Sequence, residues 1–557
     1  MRSRLLLRYS AVMALLAAAS AFGQAPSAAP IPHLIPHLEK RGQATQLIVD
    51  GRPFLMLGGE LRNNSATSLE YMKPIWPKLV ADHLNTVLAG VSWAQLEPDE
   101  GKFDFSTVDG LIRSARAHHL HLVLLWFGSW KNSWSSYAPD WVKRDFTRFP
   151  RVEMRDGSGT ERLSPFSQAN CEADAHAFAA LMQNIREVDG QAHTVLMIQV
   201  ENEVGVIPDA RDHSPAANAA YRGPVPQRLM DDLQKHRAAL RPYLLARWQA
   251  AGFRTSGTWE QVFGPGPETE DLFMAWHYAR YIEKVAAAGK AEYPLPMYVN
   301  AALIVPGFTA GQYNSGGPLS HSLDIWRAAA PDLNLLAPDI YFNFEKWTAK
   351  YGVPGNPLFI PEAVSGDQGA AEAFFAFGDR HAIGFSPFSI DRMPKPAAAA
   401  LAHAYHILSQ LSPMILKAQT NGTVAAAMLE PVNRSLRVRL GDYTLNISRA
   451  AGFRPPAPAP APSSPYAPSA PVPHAIFIRI APDQFYIAGS DLKITFTPET
   501  PGPPLAGLGT VEEGSFVDGR WVAGRMLAGD ATGEGNALYL RTGPAQGILR
   551  VTVYRYK

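Results

Sequence analysis

Val195-Leu196-Met197-Ile198-Gln199-Val200-Glu201-Asn202-Glu203-Val204-Gly205 opens as a continuous apolar run and stops abruptly in two carboxylates and an amide. An unbroken apolar run of strand length fits a strand buried on both faces, the kind parallel sheets contain. A second run, Phe359-Ile360-Pro361-Glu362, ends the same way in one carboxylate. Outward from these two, strand-length apolar segments alternate with helix-period segments as far as Leu411. The eight strand candidates are residues 54–59, 84–93, 120–126, 195–200, 296–300, 335–341, 357–361 and 383–389. Eight is the number that closes a barrel, so the α/β region 46–418 is expected to be a (β/α)8 TIM barrel; the rival topology is a doubly wound open sheet.

The connecting segments support that reading. Ser106 is expected to cap a helix with Asp109 at its third position, and Val108, Leu111, Ile112 and Ala115 share one face. Ala175, Phe178, Ala179 and Met182 repeat the helical spacing. Asp50-Gly51 predicts a tight hairpin ahead of the first barrel strand. Residues 226–287 form a long insertion with two helical stretches separated by 252–267. It follows the fourth strand, where a barrel builds its active-site face. Beyond Leu411 the texture changes to short β runs at 424–429, 436–440, 443–447, 475–480, 485–488, 492–497, 537–541 and 548–556. They predict a C-terminal all-β, sandwich-like domain over 419–557. Its segment 455–473 holds nine prolines in nineteen residues, too many for a ladder strand, and is expected to be a loop.

Composition narrows the functional classes. Of 557 residues 46% are hydrophobic and 18% charged, a globular balance. Fifty-one Lys and Arg against 50 Asp and Glu leave a net charge of +1, so no summed field holds a nucleic acid. The single cysteine, Cys171, excludes an intramolecular disulfide and every multi-Cys zinc site; it reads as a small packing residue at a helix start. Arg2, Arg4 and Arg8 precede an apolar run over 11–21 and small residues near Ala21 and Gly23, which predicts a cleaved signal peptide, 1–23. The run is about half the ~20 residues a membrane anchor needs, so a periplasmic or secreted protein without a membrane partner is expected. The length leaves the oligomeric state open.

Two carboxylates at strand ends suggest the chemistry. Strands four and seven of a closed eight-stranded barrel face each other across its mouth, which can bring Glu203 and Glu362 to the ~5–5.5 Å separation of a retaining glycosidase. Glu362 is then the nucleophile, Glu203 the acid/base, and Asn202 a partner for a substrate hydroxyl. Taken alone, the end of the fourth strand reads equally well as a solvated exit from the barrel. Glu60 and Asn300 end strands one and five, as substrate contacts or loop anchors; Asp391, past strand eight, ranks lower. Trp126 and Trp130 offer a stacking platform for a pyranose or, equally, core packing. No metal is implied: His118, His119 and His121 lack ligand spacing. G-x-S-x-G and P-loop motifs are absent and the dinucleotide glycine pattern is incomplete, so no cofactor is expected.

The sequence resembles the β-galactosidases of glycoside hydrolase family 35. Residues 199–205 look like that family's Q-[hydrophobic]-E-N-E-[aromatic]-G motif at six of seven positions, with Val204 in place of the aromatic. Gly58-Gly59-Glu60 is similar to its G-G-E segment, Leu84-Asn85-Thr86-Val87 to its second strand, and Glu97-Pro98-Asp99-Glu100-Gly101-Lys102-Phe103-Asp104-Phe105 to its E-P-x-x-G-x-F-D-F signature. The tail resembles the accessory domain of a bacterial subgroup. One departure bears on the sugar: where better-known members carry Ala-Glu-Trp after strand three, Trp126-Phe127-Gly128-Ser129-Trp130-Lys131-Asn132 has no carboxylate. The resemblance implies that Tyr341 donates a hydrogen bond to the nucleophile, and that the protein is a retaining exo-β-galactosidase acting on carbohydrate oligomers or polymers such as plant cell-wall side chains. The alternatives are another β-glycosidase of the same barrel clan, a β-glucosidase or arabinosidase, and a carbohydrate-binding protein without turnover.

Overall fold

The computed structural model describes residues 35–430, 433–450, 472–541 and 547–557. The expected signal segment and residues 455–471 of the proline-rich stretch lie outside the described residues. Eight parallel strands close a barrel in chain order: Met56–Glu60, Thr86–Ser92, His121–Lys131, Val195–Asn202, Met297–Ala302, Leu335–Ile340, Phe359–Ala363 and Gly384–Pro387. The eighth strand pairs with the first, Gly384 opposite Met56 and Phe385 opposite Leu57, which rules out the open sheet. All eight expected runs fall on these strands.

Strand alternation splits the apolar residues between two cores. Val123, Leu125, Phe127, Tyr298 and Phe359 fill the barrel, while Leu122, Leu124 and Trp126 belong to the outer cluster shared with the helices. The leading hairpin, Ala44–Val49 with Arg52–Phe54, turns at Asp50 (φ 49°) and Gly51 (φ 73°), as the sequence implied. Its Leu47 and Val49 join the interior cluster and close the barrel floor, leaving the other end for chemistry.

One capping expectation is corrected. The helix Ser106–Ala117 forms, but Ser106 is its first residue and does not cap it. Asp104 Oδ1 accepts the Ser106 amide at 2.9 Å instead, because a short carboxylate two residues upstream reaches that orphan donor without bending the chain. In the insertion after strand four, the helices Gln227–Lys235 and Pro242–Ala250 precede the long Pro267–Glu292, and the expected break holds a short helix, Trp259–Phe263.

The helix after strand eight runs from Lys395 to Asn421 and stops at Gly422, whose φ of 66° suits glycine. Two antiparallel sheets follow. The six-stranded sheet is ordered Val424–Met428, His474–Ala481, Gln484–Ser490, Ile548–Tyr556, Leu505–Val517, Arg520–Met526. The four-stranded sheet is ordered Ser435–Leu440, Tyr443–Arg449, Leu492–Pro498, Leu538–Leu540. Alternation again decides the packing: Ala475, Phe477, Phe485 and Ile487 point to the core between the sheets, while Ile476, Ile478, Tyr486 and Ala488 pack in the barrel's outer cluster. Strands Leu505–Val517 and Arg520–Met526 were not foreseen. Gly507, Gly509, Gly514, Glu512 and Glu513 dilute the apolar signal of the first, and the second is mostly exposed.

Candidate active site

The end of strand four is shaped by two residues in the left-handed region, Glu201 (φ 63°) and Glu203 (φ 45°), which is uncommon for side chains other than glycine. Glu201 is fully buried and accepts the amides of Ser129 (3.1 Å) and Trp130 (2.6 Å). Beside it lies Asp174, on the helix Gln168–Asp189, which accepts Trp126 Nε1 at 2.8 Å and Ser129 Oγ at 2.6 Å. Burial, and then the Asp174 charge, hold Glu201 well above the usual carboxylate range, so Glu201 retains its proton. A Cβ at Gly128 would lie 2.2 Å from Trp126 Nε1 and 2.6 Å from Glu201 Oε1, so only glycine lets the chain pass here. This clamp fixes the last residues of strand three and delivers Lys131 into the barrel mouth.

There, oxygen atoms of Glu203, Asp339 and Glu362 lie within 4.8 Å of one another. Asp339 and Glu362 are register partners on strands six and seven. Tyr341 donates from its hydroxyl to Glu362 Oε2 at 2.7 Å, while Oε1 has no hydrogen-bond partner. Burial, and then the Glu362 charge, push the Glu203 carboxyl up to about 7, against the opposing pull of the Lys131 ammonium. Burial also holds Asp339 and Glu60 well above the carboxylate range, with the Glu362 charge the next cause in each case. Lys131, 5% exposed, donates to Asn202 Oδ1 at 2.9 Å, and the surrounding carboxylates overcome its own burial to hold it charged. Four carboxyls and one ammonium cannot all be ionised at this spacing, so protons stay on the deeper acids. Glu203, Asp339 and Glu362 are the group among the described residues whose spacing could hold a hard cation, and the Lys131 ammonium lies beside them.

The expected residues divide. Glu203, Glu362 and Tyr341 line one cavity of about 700 Å³ with Lys131, Asn132 and Arg62. Asn202 is buried beside them, its Nδ2 without a hydrogen-bond partner, and Glu60 lies beneath with neither carboxyl oxygen bonded. Asn300 is committed to the protein: its Oδ1 accepts the Glu203 amide (2.9 Å) and its Nδ2 donates to Asp339 (2.7 Å). It joins the ends of strands four, five and six. Asp391 ties two loops, accepting the Arg62 amide and the Ser65 hydroxyl. Trp126 and Trp130 do not form a sugar platform. Both are fully buried: the parity of strand three turns Trp126 toward the helices, and Trp130 packs edge-on to Tyr278 and Tyr281 with Nε1 on the Leu163 carbonyl. Burial pushes the Cys171 thiol up to about 12, so it is an inert packing group. Lys131 and Asp339 were missed, although each is a charged residue within an otherwise apolar barrel strand.

A family model described as "Beta-galactosidase" (glycoside hydrolase 42) matches residues 71–281, and one described as "Domain of unknown function (DUF5597)" matches 401–538. The chain is 30% identical over 193 residues to a β-galactosidase of Xanthomonas manihotis, covering 34% of this chain and 29% of that protein. It is 29% identical over 196 residues to the human β-galactosidase-1-like protein 3, covering 34% and 28%. The chain thus spans under a third of the length of these curated relatives. A solved β-galactosidase from Bacillus circulans sp. alkalophilus is 13% identical, with a TM-score of 0.44 over 65% of this chain and 57% of that one.

Proposed function

We propose that the protein is a retaining exo-β-galactosidase of the family 35 type, exported to the periplasm or beyond and acting on terminal β-galactosyl groups of oligo- or polysaccharides, plant cell-wall side chains among them. One observation carries the reading: two carboxyls within 4.8 Å at opposed strand ends, one fixed by a tyrosine hydroxyl and the other raised to about 7. The unpartnered Glu362 Oε1 attacks the anomeric carbon, and the protonated Glu203 gives its proton to the departing oxygen. Esterification of Glu362 then removes the negative charge that had raised Glu203. Its acidity increases, and it leaves the first step as a carboxylate ready to take a proton from water. Neutral Asp339, donating to that carboxylate, stabilises it during the second step. Asn202 Nδ2 and Glu60 are the unsatisfied polar groups that sugar hydroxyls would meet. Proton NMR of the first-formed sugar tests the mechanism: a β anomer is expected, and an initial α signal would mean inversion. A panel of β-galactosides, β-glucosides and α-L-arabinosides tests the sugar.

A further inference from the structure

With Trp126 and Trp130 buried, the exposed aromatic nearest in sequence to the catalytic cluster is Trp134, the one strongly exposed tryptophan among the described residues at 46%. It stands in a tight turn after strand three, where Lys131 N–H donates to the Trp134 carbonyl (2.7 Å) and Trp134 N–H to the Lys131 carbonyl (3.0 Å). Residues paired this way across an antiparallel bridge project to the same face of the ribbon. Lys131 and Asn132 line the cavity, so Trp134 stands on the same face of the turn as Lys131, beyond the residues that line the cavity itself.

The ring is held in place. The Arg162 guanidinium, itself 2% exposed, lies 3.8 Å from the ring centroid and covers one face. The next residue, Ser135, donates its amide to Glu161 and its hydroxyl to the Ser129 carbonyl, and accepts the Leu163 amide. An exposed tryptophan so fixed still leaves much of a large apolar surface open to solvent. The same turn is tied to the acid/base: Asn132 N–H donates to the Asn202 carbonyl at 3.1 Å, and Ser133 Oγ to the Glu203 carbonyl at 3.0 Å. A leaving group takes its proton from Glu203 and so departs on this side.

We propose that Trp134 is the stacking platform for the first sugar ring of the leaving group, its open face receiving the C–H face of a pyranose while Arg162 holds it from behind. The assignment rests on the hydrolase reading above. The test compares kcat/KM on a β-galactosyl disaccharide with that on β-galactosyl fluoride, which has no leaving-group ring. For Trp134→Ala the ratio of the two should fall about tenfold, chiefly through KM on the disaccharide, while Trp134→Phe keeps it within about threefold. Equal losses on both substrates, or an unchanged ratio in Trp134→Ala, would overturn the platform while leaving the hydrolase reading intact. A wild-type protein that cleaves neither substrate would remove the hydrolase reading and the leaving-group assignment together.

Discussion

Glu203 and Glu362 are both buried carboxyls at strand ends, and what separates them is their company. Glu362 has a hydroxyl donor on one oxygen and the other oxygen open; Glu203 has a raised affinity for its proton. General acid catalysis typically supplies ~10²–10⁴-fold, but a dinitrophenolate leaves without a proton. Glu203→Ala is therefore expected to lose severely on natural galactosides and far less in the first step on a dinitrophenyl galactoside, with azide accelerating turnover and giving the β-glycosyl azide. Glu362→Ala should lose severely on both, and azide could yield at most the α product. Rates on both substrates with product identification check the assignment, and a β-azide from Glu362→Ala would reverse it. Asp339 yields a second expectation. As a neutral donor it favours the ionised form of Glu203 and lowers its pKa, so Asp339→Ala should move the alkaline limb of kcat/KM upward from about 7, whereas Asp339→Asn, which still donates, should leave that limb within a few tenths of a unit. A pH profile in which both variants shift alike would remove Asp339 from this role.

At the scale of elements, the site depends on how strand three ends. The Glu201–Asp174 pair grips the amides of Ser129 and Trp130 through the space left by Gly128, so Gly128→Ala must push aside two buried carboxyls and an indole. A cost of about 1–3 kcal/mol is expected, with kcat falling further than stability because Lys131 is displaced. Urea melts beside kinetics measure both, and an unchanged midpoint would deny the clamp. Such elements were legible in the sequence to different depths. The eight buried strands announced themselves because doubly buried strands are continuous apolar runs, and Glu203 and Glu362 because each interrupts one. Trp126 could have been placed by parity from Leu125 and Phe127, but Trp130 lies beyond a register shift where counting by two fails. Lys131 and Asp339 went unread because a lone charge in a strand has no partner in one dimension; theirs come from strands four, five and seven. Strand Leu505–Val517 stayed hidden because its glycines and glutamates break the alternation that marks a half-buried strand.

Across the whole molecule, the C-terminal sheets and the barrel share a core, since Ala426, Ile476 and Ile478 pack with the helices Gly366–Gly378 and Lys395–Asn421. A chain ending at Gly422 would bare that surface and is expected to aggregate, which size-exclusion chromatography would show; a monodisperse, active fragment would mean the sheets are dispensable. The same compactness makes stability depend on pH in an unusual direction. Glu60, Glu201, Asp339 and Glu372 are buried and hold protons well above the carboxylate range, and Glu203 does so up to about 7. Unfolded, these groups titrate near their ordinary values, so above those values the folded state binds more protons than the unfolded one. Stability contributed by the protonated groups is complete at low pH and is lost as pH rises, for Glu203 between its ordinary 4.5 and about 7. That interval corresponds to about 3 kcal/mol from this residue alone. Tm should therefore fall between pH 5 and pH 8, and Glu203→Gln, which cannot ionise, should fall less steeply by about that amount. Thermal melts of the two proteins across that range decide it: a wild-type Tm that rises with pH, or parallel curves, would show that the buried acids are ionised in the folded state.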